Sequence, residues 1–150
     1  MDGQVRSFLR YIEVEAGFSR NTIQAYRNDL EQFTAFLAPL GAHDWRNVGP
    51  QAIVDYVLHL KERGYSTATV ARKVASVKSF FHFLVREGGL SDDPTAAMAA
   101  PRVRKKLPRV LAHEDVVRLL AMPCADTGAK ALRDAALLEL LYASGMRVSE

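Results

Sequence analysis

An arginine followed three residues later by a carboxylate stands at the end of an apolar helical pattern. The arginine is Arg147 and the carboxylate is Glu150. A planar guanidinium can bind two phosphate oxygens at once, and a nearby acid can hold it in place. The pair therefore predicts a phosphate contact. Without further context, an arginine at this place can also simply compensate the helix dipole.

The densest group of cations lies in the segment 101–109, which has five basic residues and no acid. An extended segment of this kind can neutralise several phosphates, and the displaced counterions make such binding sensitive to salt. A soluble tether or a localisation-like charge cluster would have the same composition. The predicted DNA contacts in this segment are Arg102, Arg104, Lys105 and Lys106.

A helix predicted from Ser66 to about Glu87 separates apolar from polar side chains at helical spacing. Its polar face combines hydroxyl groups with cations, which can reach phosphates and base edges when a helix lies in a DNA groove. A solvated outer face is the ordinary alternative. The predicted DNA contacts are Thr69, Arg72, Ser76 and Ser79, with Lys73 at the border of the two faces.

A further candidate for phosphate binding is the start of the predicted second helix. Unpaired backbone N–H groups and the positive end of the helix dipole attract phosphate at such a position. Ser19 can equally act as a plain N-cap. The residues concerned are Ser19, Arg20, Asn21 and Thr22.

Helical periodicity organises the chain, and no strand pattern appears in the sequence. Four helices joined by short loops are predicted in the first 90 residues, and they would form a compact bundle. Their expected ranges are 5–15, 19–38, 50–63 and 66–87. Two more helices are predicted at about 112–121 and 130–144. The predicted class is therefore all-α.

The predicted domains are a DNA-binding bundle at 1–90, a basic interdomain linker at 91–110 and the start of a second domain at 111–150. Asp92-Asp93-Pro94 interrupts the helical pattern at the start of the linker. The helix at 131–143 is apolar almost all round, which is typical of a helix enclosed by neighbours. We expect those neighbours to lie outside this sequence.

Composition limits the other possibilities. The 150 residues are 49% hydrophobic and 25% charged, as expected for one or two small globular domains. A single cysteine and four dispersed histidines predict neither a disulfide nor a metal site. Since the sequence has no apolar run of membrane-spanning length and no signal-peptide pattern, we expect a cytoplasmic protein with no membrane association. The net charge is only +3, but its uneven distribution indicates an anionic partner.

The order of these features resembles a tyrosine recombinase of the Xer type. Ser19-Arg20-Asn21-Thr22 with Tyr26 and Asp29-Leu30 is similar to the second helix of that family's core-binding domain. Asp93-Pro94 with Pro101 and Leu107-Pro108 resembles its interdomain segment. The most specific likeness runs from Leu137 to Glu150 and resembles the family's first catalytic-arginine box.

The resemblance implies a four-helix SAM-like core-binding domain and a catalytic domain that together form a C-shaped clamp around DNA. Arg147 would be the first catalytic arginine, and Glu150 would support it. In this family a tyrosine attacks the scissile phosphodiester and forms a 3′-phosphotyrosyl link, with no nucleotide or metal cofactor. The implied partners are a double-stranded recombination site and other protomers, in a tetramer on two duplexes. Chromosome-dimer resolution is the implied role.

The family's other catalytic groups, including the nucleophilic tyrosine, would lie beyond Glu150. We therefore expect a truncated chain that binds DNA and does not cut it. A mobile-element integrase would use the same chemistry. Two alternatives from other classes are a noncatalytic helical DNA-binding module and a helical interaction domain whose cations only keep it soluble.

Overall fold

The structure, a computed structural model, describes residues 1–98, 107, 110–125 and 128–149. The chain divides into two compact units, Met1–Arg104 and Lys105–Glu150. Every regular element in the described ranges is a helix, which confirms the predicted all-α class.

The first unit contains the four predicted helices, α1 (Asp2–Val14), α2 (Arg20–Leu37), α3 (Pro50–Glu62) and α4 (Thr67–Arg86). Serine side chains cap α2 and α4. Ser19 Oγ accepts from the Thr22 N–H at 3.3 Å, and Ser66 Oγ accepts from the Thr69 N–H at 3.2 Å. Both caps satisfy backbone donors that a helix start leaves unpaired.

Aromatic side chains from all four helices contribute to the core of this unit. Trp45, between α2 and α3, lies in a short 3-10 helix (Trp45–Asn47) and is only 1% exposed. Its ring meets Phe80 edge-on at a centroid distance of 4.7 Å, and its Nε1 donates to the Met1 carbonyl at 3.3 Å. The α2–α3 connection therefore contributes to the core.

The chain that follows α4 packs back on the same unit. Lys78 Nζ donates to the Met98 carbonyl at 2.9 Å, and the side chain of Thr95 is fully buried. Asp93 Oδ1 accepts from the Thr95 N–H at 2.7 Å and from the Thr95 hydroxyl at 2.6 Å. The first residues of the predicted linker, 91–98, thus belong to a packed segment.

The second unit contains α5 (His113–Ala121), a 3-10 helix (Met122–Ala125) and α6 (Ala129–Ser144). Both α-helices match the predicted ones within a residue. Gly145 ends α6 in the left-handed region at φ 64°, where a residue with a side chain would be strained. Apolar side chains of α6 are exposed within the unit, namely those of Leu132, Leu137, Leu140 and Tyr142.

Candidate nucleic-acid interface

A buried carboxylate joins α2 to α4. Asp29 of α2 is 1% exposed and accepts three hydrogen bonds from α4. Lys73 Nζ donates to Oδ1 at 2.9 Å, Ser76 Oγ donates to Oδ2 at 2.8 Å, and Arg72 Nη1 also donates to Oδ2. We call Asp29, Arg72, Lys73 and Ser76 the Asp29 cluster.

Helical spacing explains why these donors converge. Residues at i, i+1 and i+4 of a helix lie on adjoining parts of its surface, so Arg72, Lys73 and Ser76 can reach one acceptor. Lys73 Nζ also donates to Gln32 Oε1 at 2.6 Å and lies 5.3 Å from the centroid of the Tyr65 ring. These partners offset the cost of burying its charge.

The cluster corrects the prediction for the polar face of α4. Ser76 is 1% exposed, so the prediction that it lies on an outer face is wrong. Lys73, predicted at the border of the two faces, is 3% exposed and therefore also lies inside the unit. Apolar spacing alone assigns Ser76 to the outside and Lys73 to the border, but here Asp29 on the neighbouring helix is a buried partner for both side chains. Direct DNA contact by these two side chains is therefore not supported.

Arg72 differs from the rest of the cluster because its side chain is 50% exposed. Two cations face one carboxylate, so the cluster has an excess positive charge, and the accessible part of that charge is the Arg72 guanidinium. The predicted contacts Thr69 and Ser79 are half-buried on the same helix. The exposed cation at the α2–α4 junction is thus held by a buried acid.

The start of α2 presents the predicted polar residues at the surface. Ser19, Arg20 and Asn21 are exposed, and Thr22 is half-buried. The Ser19 and Thr22 hydroxyl oxygens are 2.8 Å apart, and Ser66 and Thr69 repeat this arrangement at 3.0 Å in α4. The capping role of Ser19 is confirmed, and phosphate binding here stays a prediction.

Arg86, in the last turn of α4, contacts α1. Its Nη1 donates to the Tyr11 hydroxyl at 2.6 Å, and its guanidinium carbon lies 4.1 Å from the centroid of that ring. Nη2 also donates to Glu87 Oε1 at 3.1 Å. Arg86 therefore links α4 to α1.

The remaining predicted site residues are described only in part. The four linker cations, Arg102, Arg104, Lys105 and Lys106, lie outside the described residues, as does Glu150. Arg147 is exposed in the segment that follows α6. The Gly145 N–H donates to the Leu141 carbonyl at 3.0 Å and so closes the last turn before that segment.

The residues that the structure describes include neither a metal-binding group nor a membrane-spanning helix. No group of three or more His, Cys, Asp or Glu side chains there could hold a metal ion. Across the same ranges, none of the helices combines the length and the apolar character needed to cross a bilayer.

Asp29 is the functional candidate that the residue patterns did not identify, although it forms part of the family resemblance. It lies at the edge of the apolar stripe of α2, next to Leu30 and Phe33, which are both fully buried. A carboxylate at such an edge needs partners from a neighbouring helix. The position of Asp29 at the edge of the stripe could have identified it from the sequence. That position does not indicate which helix supplies the hydrogen-bond donors.

Known proteins resemble this chain along its whole length. The phage integrase N-terminal SAM-like domain matches residues 5–88. A tyrosine recombinase XerC from Roseiflexus sp. (strain RS-1) is 46% identical over 150 residues, which are 100% of this chain and 48% of that protein. A tyrosine recombinase XerD from Caulobacter vibrioides is 42% identical over 144 residues, which are 96% of this chain and 47% of that protein. The chain thus spans about half the length of the curated relatives it matches.

Proposed function

Because this chain belongs to the phage integrase family of tyrosine recombinases, we propose that it is the DNA-binding part of a site-specific recombinase. Its first unit would lie on duplex DNA at a recombination site. Duplex binding requires a compartment that holds DNA, so we also propose the cytoplasmic location that the sequence predicts.

The observation that carries the proposal is the exposed Arg72 guanidinium on the cationic side of the Asp29 cluster. A guanidinium can donate to two phosphate oxygens or to a guanine edge. We propose Arg72 as the principal contact of the first unit. The other proposed contacts are Ser19, Arg20, Asn21, Thr22, Thr69 and Ser79, together with the linker cations Arg102, Arg104, Lys105 and Lys106.

For the whole recombinase, we propose strand exchange through a 3′-phosphotyrosyl intermediate, with other protomers on paired duplexes. Arg147 would donate to the non-bridging oxygens of the scissile phosphate, where negative charge grows in the transition state. In a complete recombinase with this segment, Arg147→Lys should therefore impair cleavage far more than DNA binding, because lysine lacks the bidentate fork. Equal losses in both assays would contradict this role.

Filter binding of a labelled mixed-sequence DNA duplex, measured over a series of salt concentrations, tests the DNA-binding proposal. We expect the affinity of the chain to fall steeply as salt rises. Arg72→Ala should weaken binding by about tenfold, a typical loss for a specific arginine contact. Arg46→Ala is the matched control, because Arg46 is an exposed arginine already paired with a carboxylate, Asp44.

Both substitutions remove one positive charge, so they separate a specific contact from general attraction. A larger loss for Arg72→Ala than for Arg46→Ala supports the proposed contact. Equal losses would remove Arg72 from the interface. No duplex binding even at low salt would overturn the proposed function.

A further inference from the structure

We infer that Asp29 is a positioning residue that aims Arg72 at bound duplex DNA, an inference that rests on the proposed function. Asp29 itself is 1% exposed, so it cannot contact DNA directly. It reaches the surface only through the Arg72 side chain, which is 50% exposed. The pair therefore joins a buried acid to an accessible cation.

The geometry of a guanidinium makes this arrangement useful. The group is planar and has five N–H donors in a fixed fork. Asp29 occupies Nη1, so the orientation of the plane is set while other donors remain for an external acceptor. A side chain that is already ordered loses less conformational freedom when it binds, and this favours affinity.

The Asp29 carboxylate is itself held in place. Lys73 donates to Oδ1 at 2.9 Å and Ser76 donates to Oδ2 at 2.8 Å. These two donors are buried, so they fix both carboxylate oxygens from inside the unit. Arg72 therefore pairs with an anion whose own position is defined.

Charge and positioning make opposite predictions for Asp29→Asn. The substitution removes a negative charge, so general attraction to DNA phosphates would strengthen. If Asp29 positions Arg72, the same substitution loosens the guanidinium, and binding weakens. The sign of the change in affinity decides between the two.

The experiment is filter binding of a labelled mixed-sequence duplex to the full chain at fixed salt. We expect Asp29→Asn to weaken binding by about tenfold, in the range typical of a lost arginine contact. The control is Glu31→Gln. Glu31 is an exposed acid on α2, and this substitution changes the net charge by the same amount as Asp29→Asn. This control should bind as tightly as the unchanged chain or more tightly.

A double-mutant cycle tests whether Asp29 acts through Arg72. We expect Asp29→Asn to have little further effect on binding once Arg72 is alanine. An additive loss would overturn the inference, because a general structural role would weaken both backgrounds equally. Asp29→Asn that binds the duplex as tightly as the unchanged chain would overturn it too, while the proposed function would stand.

The substitution leaves Lys73 buried without its carboxylate, which is a known cause of instability. The charge-balanced variant Asp29→Asn/Lys73→Met removes both charges, and circular dichroism checks that it folds. We expect this folded variant also to bind more weakly, and unchanged binding would overturn the inference.

Arg72→Lys supplies an independent test, since it keeps both the charge and the buried carboxylate. Binding close to that of Arg72→Ala supports the role of the oriented fork, and binding equal to the unchanged chain would overturn it. If the unchanged chain fails to bind the duplex, the proposed function falls, and the inference falls with it.

Discussion

At the scale of single residues, the first unit contains two buried polar groups that differ in their hydrogen bonding. The Asp29 carboxylate accepts three hydrogen bonds from α4. The Tyr56 hydroxyl is also buried, but it has no hydrogen-bond partner among the described residues. Burial, which is the largest cause, and the nearby Asp29 charge both raise the pKa of Tyr56. The Asp29 carboxylate therefore joins α2 to α4, whereas burial of the Tyr56 hydroxyl carries a desolvation cost.

The unpaired hydroxyl leads to a prediction about stability. Tyr56→Phe removes the buried oxygen and keeps the ring that packs 4.8 Å from Phe33, measured between centroids. We expect the free energy of unfolding to rise by about 1 kcal/mol, because an unsatisfied buried polar group costs that order of energy. Urea unfolding measures the change. A loss of stability would mean that the hydroxyl has a partner in solution.

Asp93 gives a prediction for pH. Burial acts to raise the pKa of Asp93, but hydrogen bonds from Thr95 and His82 outweigh it, so the pKa lies below its usual value. A lowered folded-state pKa stabilises the fold above the unfolded value of about 3.9, and this contribution disappears as pH falls through the folded value. The stability advantage of the unchanged chain over Asp93→Asn should therefore shrink in acid.

Urea unfolding of both proteins between neutral and strongly acidic pH provides the measurement. A difference in unfolding free energy that stays constant over this range would show that the ionisation of Asp93 is not linked to folding.

At the scale of elements, the ends of the helices follow from the local sequence, whereas the contacts between helices do not. Ser19 and Ser66 start α2 and α4 where capping preferences place them, and Pro50 lies in the first turn of α3. The outer position predicted for Ser76 is wrong because its buried partner, Asp29, is distant in the chain. The burial of Trp45 against Phe80 depends on a distant residue in the same way. Local periodicity carries no information about such partners.

The two serine caps should contribute comparably to stability. Ser19→Ala and Ser66→Ala each remove the acceptor for a backbone N–H at a helix start. We expect each substitution to lower the free energy of unfolding by about 1 kcal/mol. Thermal or urea unfolding measures both, with Ser91→Ala as a control outside the helices. Losses no larger than that of the control would show that water replaces the caps.

At the scale of the whole molecule, family membership follows from the sequence, and the match to residues 5–88 confirms the resemblance to tyrosine recombinases. The DNA-binding residues stay proposals. The candidate site was predicted in part, because Arg72 is exposed as expected, whereas Lys73 and Ser76 form the support behind it. Asp29 explains this difference, because its buried carboxylate accepts hydrogen bonds from three side chains of α4.

The linker cations lead to a prediction for the salt dependence of DNA binding. Replacing Arg104, Lys105 and Lys106 with alanine should reduce the salt dependence of duplex binding, because each lost phosphate contact lowers the slope by about 0.9. Filter binding over a series of salt concentrations measures this slope. A slope equal to that of the unchanged chain would exclude this segment from the interface.

The burial of Trp45 has a practical consequence for spectroscopy. It is the single tryptophan of the sequence, and it packs among aromatic rings of the first unit. Its intrinsic emission should therefore shift to longer wavelength only when that unit melts, whereas the far-ultraviolet dichroism follows helices in both units. Comparing the two optical signals would reveal whether the units lose their structure together or in sequence.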